Sequence, residues 1–102
     1  MPAQPNNRGT AHLAATVLDT QSSLESRRSA VESLISADPI AARTVLLRAA
    51  SDETDDEVYL RFVGRTLGIL AIEQGYLSEW ELRDISDPSY EEYNELYRPP
   101  RA

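Results

Sequence analysis

Two Asp-Pro dipeptides, Asp38-Pro39 and Asp87-Pro88, each stand at the head of a polar-apolar run with no further Pro for at least ten residues. An Asp side chain accepts from the free N–H groups of a first helical turn, and Pro at the first helical position loses no hydrogen bond there. Both pairs therefore read as helix starts and are poor starts for a central strand. Ser22 or Ser23 with Glu25, and Ser78 with Glu81, add capping signals of a second kind. Gly75 is a natural residue to follow a helix C-terminus.

Between these signals the apolar residues recur at steps of three and four. Leu13 and Val17 mark a short helix in "AHLAATVLD", and a helix over about 23 to 36 spaces Leu24, Arg28, Val31, Leu34 and Ile35 so that its apolar members share a face. A helix over 39 to 50 is expected to bury Ile40, Val45, Leu46 and Ala50 or their neighbours. A long one from Asp56 to about Gln74 turns Val58, Phe62, Val63, Leu67, Leu70 and Ala71 inward, and two short helices close the chain. The expected fold is all-α, an irregular bundle of about five helices. Gly64 and Gly68, four apart on one face of the long helix, predict a neighbouring helix at close range.

A length of 102 residues at 41% hydrophobic suits one small domain over 1–102, with mobile tails expected at about 1–10 and 98–102. The absence of Cys removes disulfides, thiolate metal ligands and a Cys nucleophile, and fits a reducing cytoplasm. No apolar run approaches the roughly 20 residues that span a bilayer, so no membrane partner is expected. All ten basic residues are Arg, a usage that suggests a GC-rich bacterial gene.

Charge is unevenly placed. Residues 1–51 carry four acids and five Arg, whereas 52–102 carry thirteen acids and five Arg, so the excess of −7 belongs to the second half. Nucleic-acid binding needs a basic face that releases counterions from phosphates, and no such face is indicated. A basic protein partner fits better. The strongest cluster, "SDETDDE" over Ser51 to Glu57, puts Asp55, Asp56 and Glu57 in the cap and first turn of the long helix, where they compensate its dipole. Asp52 and Glu53 lie ahead of that turn and are expected to project toward a partner.

From Arg28 to Leu70 the chain resembles a HEAT-like α-helical repeat fragment. "RRSAVESLISADP" is similar to a helix ending in a short Asp-Pro turn, and "DDEVYLRFVGRTLGIL" to a second helix of acidic turn, Val and apolar face ending in Leu-Gly-x-Leu. The resemblance implies antiparallel helix pairs and a protein-binding scaffold of the kind used by small bacterial immunity or adaptor proteins.

Catalytic signatures are missing from the pattern. An EF-hand starting at Asp52 would need Gly at its sixth position and Glu at its twelfth, where Glu57 and Val63 stand. His12 has no metal-ligating company in the sequence. Glu81 and Asp84, with Glu91, Glu92 and Glu95, resemble the paired carboxylates of MazG-like Mg²⁺-dependent nucleotide pyrophosphatases, but in reversed order. That likeness implies an alternative enzymatic reading. The preferred one assigns no catalytic, cofactor-binding or metal-ligating residue.

All seven aromatic residues lie between Tyr59 and Tyr97. Tyr90, Tyr93 and Tyr97 follow i, i+3, i+7 spacing with Glu91, Glu92 and Glu95 among them, so the tyrosines form one stripe, either packed on the bundle or presented as a binding edge. Trp80, between Glu79 and Glu81, is open to the same two readings. Tyr and Trp among carboxylates suit an Arg- or Lys-rich surface through charge pairing and cation–π contact. The expected partner-binding set is Asp52, Glu53, Glu79, Trp80, Glu81, Tyr90, Glu91, Glu92, Tyr93 and Tyr97. The function expected is that of a small acidic module, an immunity protein or antitoxin-like inhibitor that occludes a basic effector such as a toxin or nuclease. An adaptor or regulatory subunit is the alternative within the binding class, and the pattern leaves a homodimer open.

Overall fold

The computed structural model describes the backbone of residues 5–97 and the side chains of residues 9–96. Six α-helices and no strand occur among the described residues: α1 (Pro5–Leu18), α2 (Leu24–Ala37), α3 (Pro39–Ala50), α4 (Glu57–Gln74), α5 (Glu79–Asp84) and α6 (Asp87–Tyr97). The count is six where about five were expected. The tail expected to reach about residue 10 is already helical from Pro5 onward, a residue whose fixed φ is suited to a first turn. The remainder of that expectation, residues 1–4, and the tail expected at 98–102 lie outside the described residues. No helix is long and apolar enough to cross a membrane among the described residues.

The chain divides into two compact units, Met1–Leu46 and Leu47–Ala102. In the first, α1 packs on α2. Their connection is held by Asp19, whose carboxylate accepts from the Gln21 N–H (2.9 Å) and the Ser22 hydroxyl (2.8 Å). These bonds, the Gln21 one foremost, hold the Asp19 carboxyl below its usual pKa. The turn's contribution is therefore present above the ordinary carboxylate range and fades as pH falls through the lowered value.

Ser23 takes the capping position of α2, accepting from Ser26 N–H at 3.1 Å. Val17, Ala30, Val31 and Leu34 are buried in this unit. So is Arg27, whereas its neighbour Arg28 is exposed. Arg27 donates from Nε (3.3 Å) and Nη2 (3.0 Å) to the Val17 carbonyl. That carbonyl lies in the last turn of α1, where no further N–H of the helix reaches it, and a guanidinium both satisfies it and complements the helix dipole. Asp38 caps α3 through Ala41 N–H at 3.0 Å. Ile40, expected inside, is exposed in the first turn and Ala42 is buried in its place, while Leu46 and Ala50 are buried as expected.

In the second unit α4 packs on α6. Asp56 caps α4 by accepting from Tyr59 N–H (3.1 Å), and Gly75 ends it at φ +102°, a conformation that favours glycine. Tyr59, Leu60, Val63, Leu67, Leu70 and Ala71 turn inward, with Phe62 half-buried. Val58 does not follow its expected face and is exposed in the first turn. The two glycines meet α6: Gly64 lies against the Ser89 backbone and Gly68 against the Leu96 side chain. One turn before Gly64, the Ser89 hydroxyl donates to the Leu60 carbonyl at 2.7 Å. The close helix approach expected from the glycine pair is thus present, and α6 is the neighbour.

Candidate functional site

All ten expected partner-binding residues lie in the second unit, and the structure treats them unequally. Asp52 is half-buried and accepts from the Thr54 N–H at 3.0 Å and from the Thr54 hydroxyl, so it holds its own turn in place of projecting freely. Glu53, next to it, is exposed. Asp55 accepts from Asp56 N–H at 2.7 Å, and Asp56 is the cap of α4.

On α5 the residues are divided in the same manner. Ser78 and Glu81 form a reciprocal capping box, with Ser78 N–H donating to Glu81 Oε1 (2.7 Å) and Glu81 N–H to Ser78 Oγ (3.2 Å). Glu81 is therefore committed to the helix start. Glu79 is exposed, and Trp80 is 73% exposed. The Arg83 guanidinium carbon stands 5.0 Å from the Trp80 ring centroid, one helical turn on. The ring thus holds a cation against its face already.

The start of α6 departs from the expected Asp87 cap. Ser86 takes that position: its Oγ accepts from Ser89 N–H (3.4 Å) and its carbonyl from Tyr90 N–H (2.9 Å). Asp87 becomes the first helical residue, where its charge still favours the helix dipole.

The tyrosine stripe is split. Tyr90 is 42% exposed, whereas Tyr93 is buried and its hydroxyl accepts from Leu77 N–H at 2.9 Å. The side chain of Tyr97 lies outside the described residues. Leu77 follows Gly75 in the connection between α4 and α5, where its amide has no helical acceptor, and a phenol oxygen reaching from α6 supplies one. Tyr93 is accordingly buried, with its hydroxyl engaged inside the fold. Tyr93→Phe is expected to lower the stability of this unit by about 1–3 kcal/mol, because the Leu77 N–H is stranded in a buried place, and urea unfolding checks it.

Glu91 and Glu92 meet Arg61 of α4. Arg61 donates Nε to Glu57 (3.1 Å), Nη2 to Glu91 (3.1 Å) and Nη1 to Glu92 (3.4 Å). Its pKa is raised, first by the Glu57 bond and then by that to Glu91. Three carboxylates around one guanidinium leave the cluster net negative and tie α6 to α4. With Glu81 in the capping box and Glu91 and Glu92 on Arg61, three of the five carboxylates that resembled a Mg²⁺ site are engaged by the protein's own donors. Among the described residues no group of three or more His, Asp or Glu is arranged to hold a metal ion.

Sequence reasoning overlooked two features. Ile69, Ile72 and Tyr76 are exposed, as Val58 is, a signal present in their spacing but hidden by their apolar character. In the first unit an open groove of about 540 Å³ between α1 and α2 is lined by His12, Thr16 and the α2 serines 23, 26, 29 and 33. Compared with known protein families, curated proteins and solved structures, the chain matches none.

Proposed function

We propose that this chain is a small acidic protein-binding module, built of HEAT-like helix pairs, that covers the basic surface of an effector in the manner of an immunity protein or antitoxin-like inhibitor. One observation carries the reading: nine of the thirteen acids from Asp52 onward are exposed, and the large aromatics Trp80 and Tyr90 are exposed in the same segment. Carboxylates steer a cationic partner from a distance, and flat aromatic faces hold its Arg or Lys side chains on contact. The Arg83 guanidinium on Trp80 is an internal instance of that contact.

The revised contact set is Glu53, Glu79, Trp80 and Tyr90, with the net-negative Arg61 cluster contributing field. Asp52, Glu81 and Tyr93 serve the fold. Co-purification with the product of the adjacent gene, followed by association kinetics at two salt concentrations, tests the reading. Combined Glu53→Arg and Glu79→Arg substitution should change stability by no more than about 0.5 kcal/mol. It should slow association by roughly tenfold and flatten its dependence on salt, because exposed charges act on encounter. An on-rate indifferent both to the reversal and to salt removes the acidic surface from the mechanism.

A further inference from the structure

We infer that the outward face of α4 pairs two copies of this chain in an antiparallel, two-fold arrangement centred on Ile69. The inward face of α4 is occupied by the packing of Leu60, Val63, Leu67 and Leu70. The outward face is apolar as well: Val58 is 62% exposed, Ile69 53% and Ile72 68%. Positions 58, 62, 65, 69 and 72 step by four, three, four and three and so lie along one side of the helix, and Phe62 at the second position is half-buried. Arg65 alone interrupts the apolar series.

The charges choose the occupant. Arg65 and Glu73 stand four residues before and four after Ile69, both exposed, and neither makes an ion pair among the described residues. Eight residues separate them by about 12 Å along the helix axis, too far to meet within one copy. In an antiparallel pair crossing at Ile69, each Arg65 falls opposite Glu73 of the other copy, twice by symmetry, and Ile69 meets its own equivalent. Shifting the crossing half a turn earlier would set Arg65 against Ile69 and leave the guanidinium without a counter-charge, so the charge pattern selects the first register.

A copy carrying −7 repels a second copy through most of its surface, and a dimer needs a patch whose own charges cancel. The surface around Ile69, with the exposed Arg65 and Glu73, is such a patch. A basic effector gains no steering from it, which makes the face independent of the acidic surface proposed above. Its few large side chains fall short of the roughly 20–30 residues a side of a standard interface, so the expected dissociation constant is in the micromolar range, on the order of tens of micromolar.

Sedimentation equilibrium of the full chain from low micromolar to several hundred micromolar tests this. The weight-average mass should rise with concentration from 11.4 kDa toward twice that value. Arg65→Glu alone and Glu73→Arg alone should each weaken the dimer at least tenfold, since each sets like charges opposite one another. The combined swap should restore it, and Ile69→Arg should abolish it. Every substituted side chain is exposed, and circular dichroism confirms that each variant folds. A monomer mass at every concentration overturns the inference, as does a dimer that tolerates both single reversals or a double swap no tighter than the singles.

Discussion

Gly64→Ala should destabilise the second unit by about 2 kcal/mol or more, whereas Gly68→Ala, one turn along the same face, should be close to neutral. Helix propensity alone favours Ala over Gly by about 1 kcal/mol at both sites. The surroundings oppose it unequally. A Cβ on Gly64 would overlap the Ser89 carbonyl oxygen and lie 2.6 Å from Ser89 Cα and 2.7 Å from its carbonyl carbon. Backbone atoms of a helix do not move aside singly, so α6 must shift away from α4, lengthening the bond from the Ser89 hydroxyl to the Leu60 carbonyl. Overpacking of a filled contact costs about 1–3 kcal/mol and occasionally more, and a backbone obstruction belongs at the upper end. At Gly68 the nearest atom is Leu96 Cδ1 at 2.5 Å, the tip of a side chain that can rotate. Thermal and urea midpoints of the two variants measure the contrast, and equal midpoints would mean that α6 does not lie on Gly64.

Leu67→Ala should cost about 2–5 kcal/mol, the range for removing a large aliphatic side chain from a packed interior. Leu67 is 1% exposed, on the inward face of the longest helix. Against a total of about 5–15 kcal/mol for a small protein, such a loss removes a large share of the folding free energy. Ile72→Ala, on the outward face of the same helix, is the matched control and should change the midpoint by no more than about 0.5 kcal/mol in dilute solution. The pair of variants distinguishes a helix turned as described from one rotated by half a turn. An unchanged midpoint for Leu67→Ala would put that side chain in water.

Which members of the expected binding set reach solvent was legible only in part, because residue type names a chemistry without naming its recipient. Asp52, Glu81, Glu91 and Glu92 have the charge expected of a docking surface. The structure spends their oxygens on Thr54, Ser78 and Arg61. Tyr93 has the spacing of an exposed stripe, yet its ring is buried and its hydroxyl meets Leu77 N–H. Trp80 and Tyr90 are the members of the aromatic series, among the described side chains of the expected set, that reach solvent.

Helix identity and most helix ends were determined by the sequence itself. Ser23, Asp38, Asp56, the Ser78–Glu81 box and Gly75 act within a few residues of chain, and short-range geometry suffices to place them. The side of each helix that faces protein was decided by tertiary structure. Val58 and Leu67 both fit an apolar helical pattern, yet one is exposed and the other buried, because α4 carries apolar residues on more of its circumference than its neighbours cover. Arg27 and Arg28 stand side by side in α2, and it is the three-dimensional position of the Val17 carbonyl that makes Arg27 the buried one. Ser86 displaced Asp87 as the cap of α6 for a similar reason: its N–H donates to the Ala50 carbonyl at 2.7 Å, a bond across more than thirty residues that anchors the chain one position early. Local hydrogen bonds are encoded in adjacent residues, whereas burial depends on which distant surface arrives, and no periodicity along the chain contains that information.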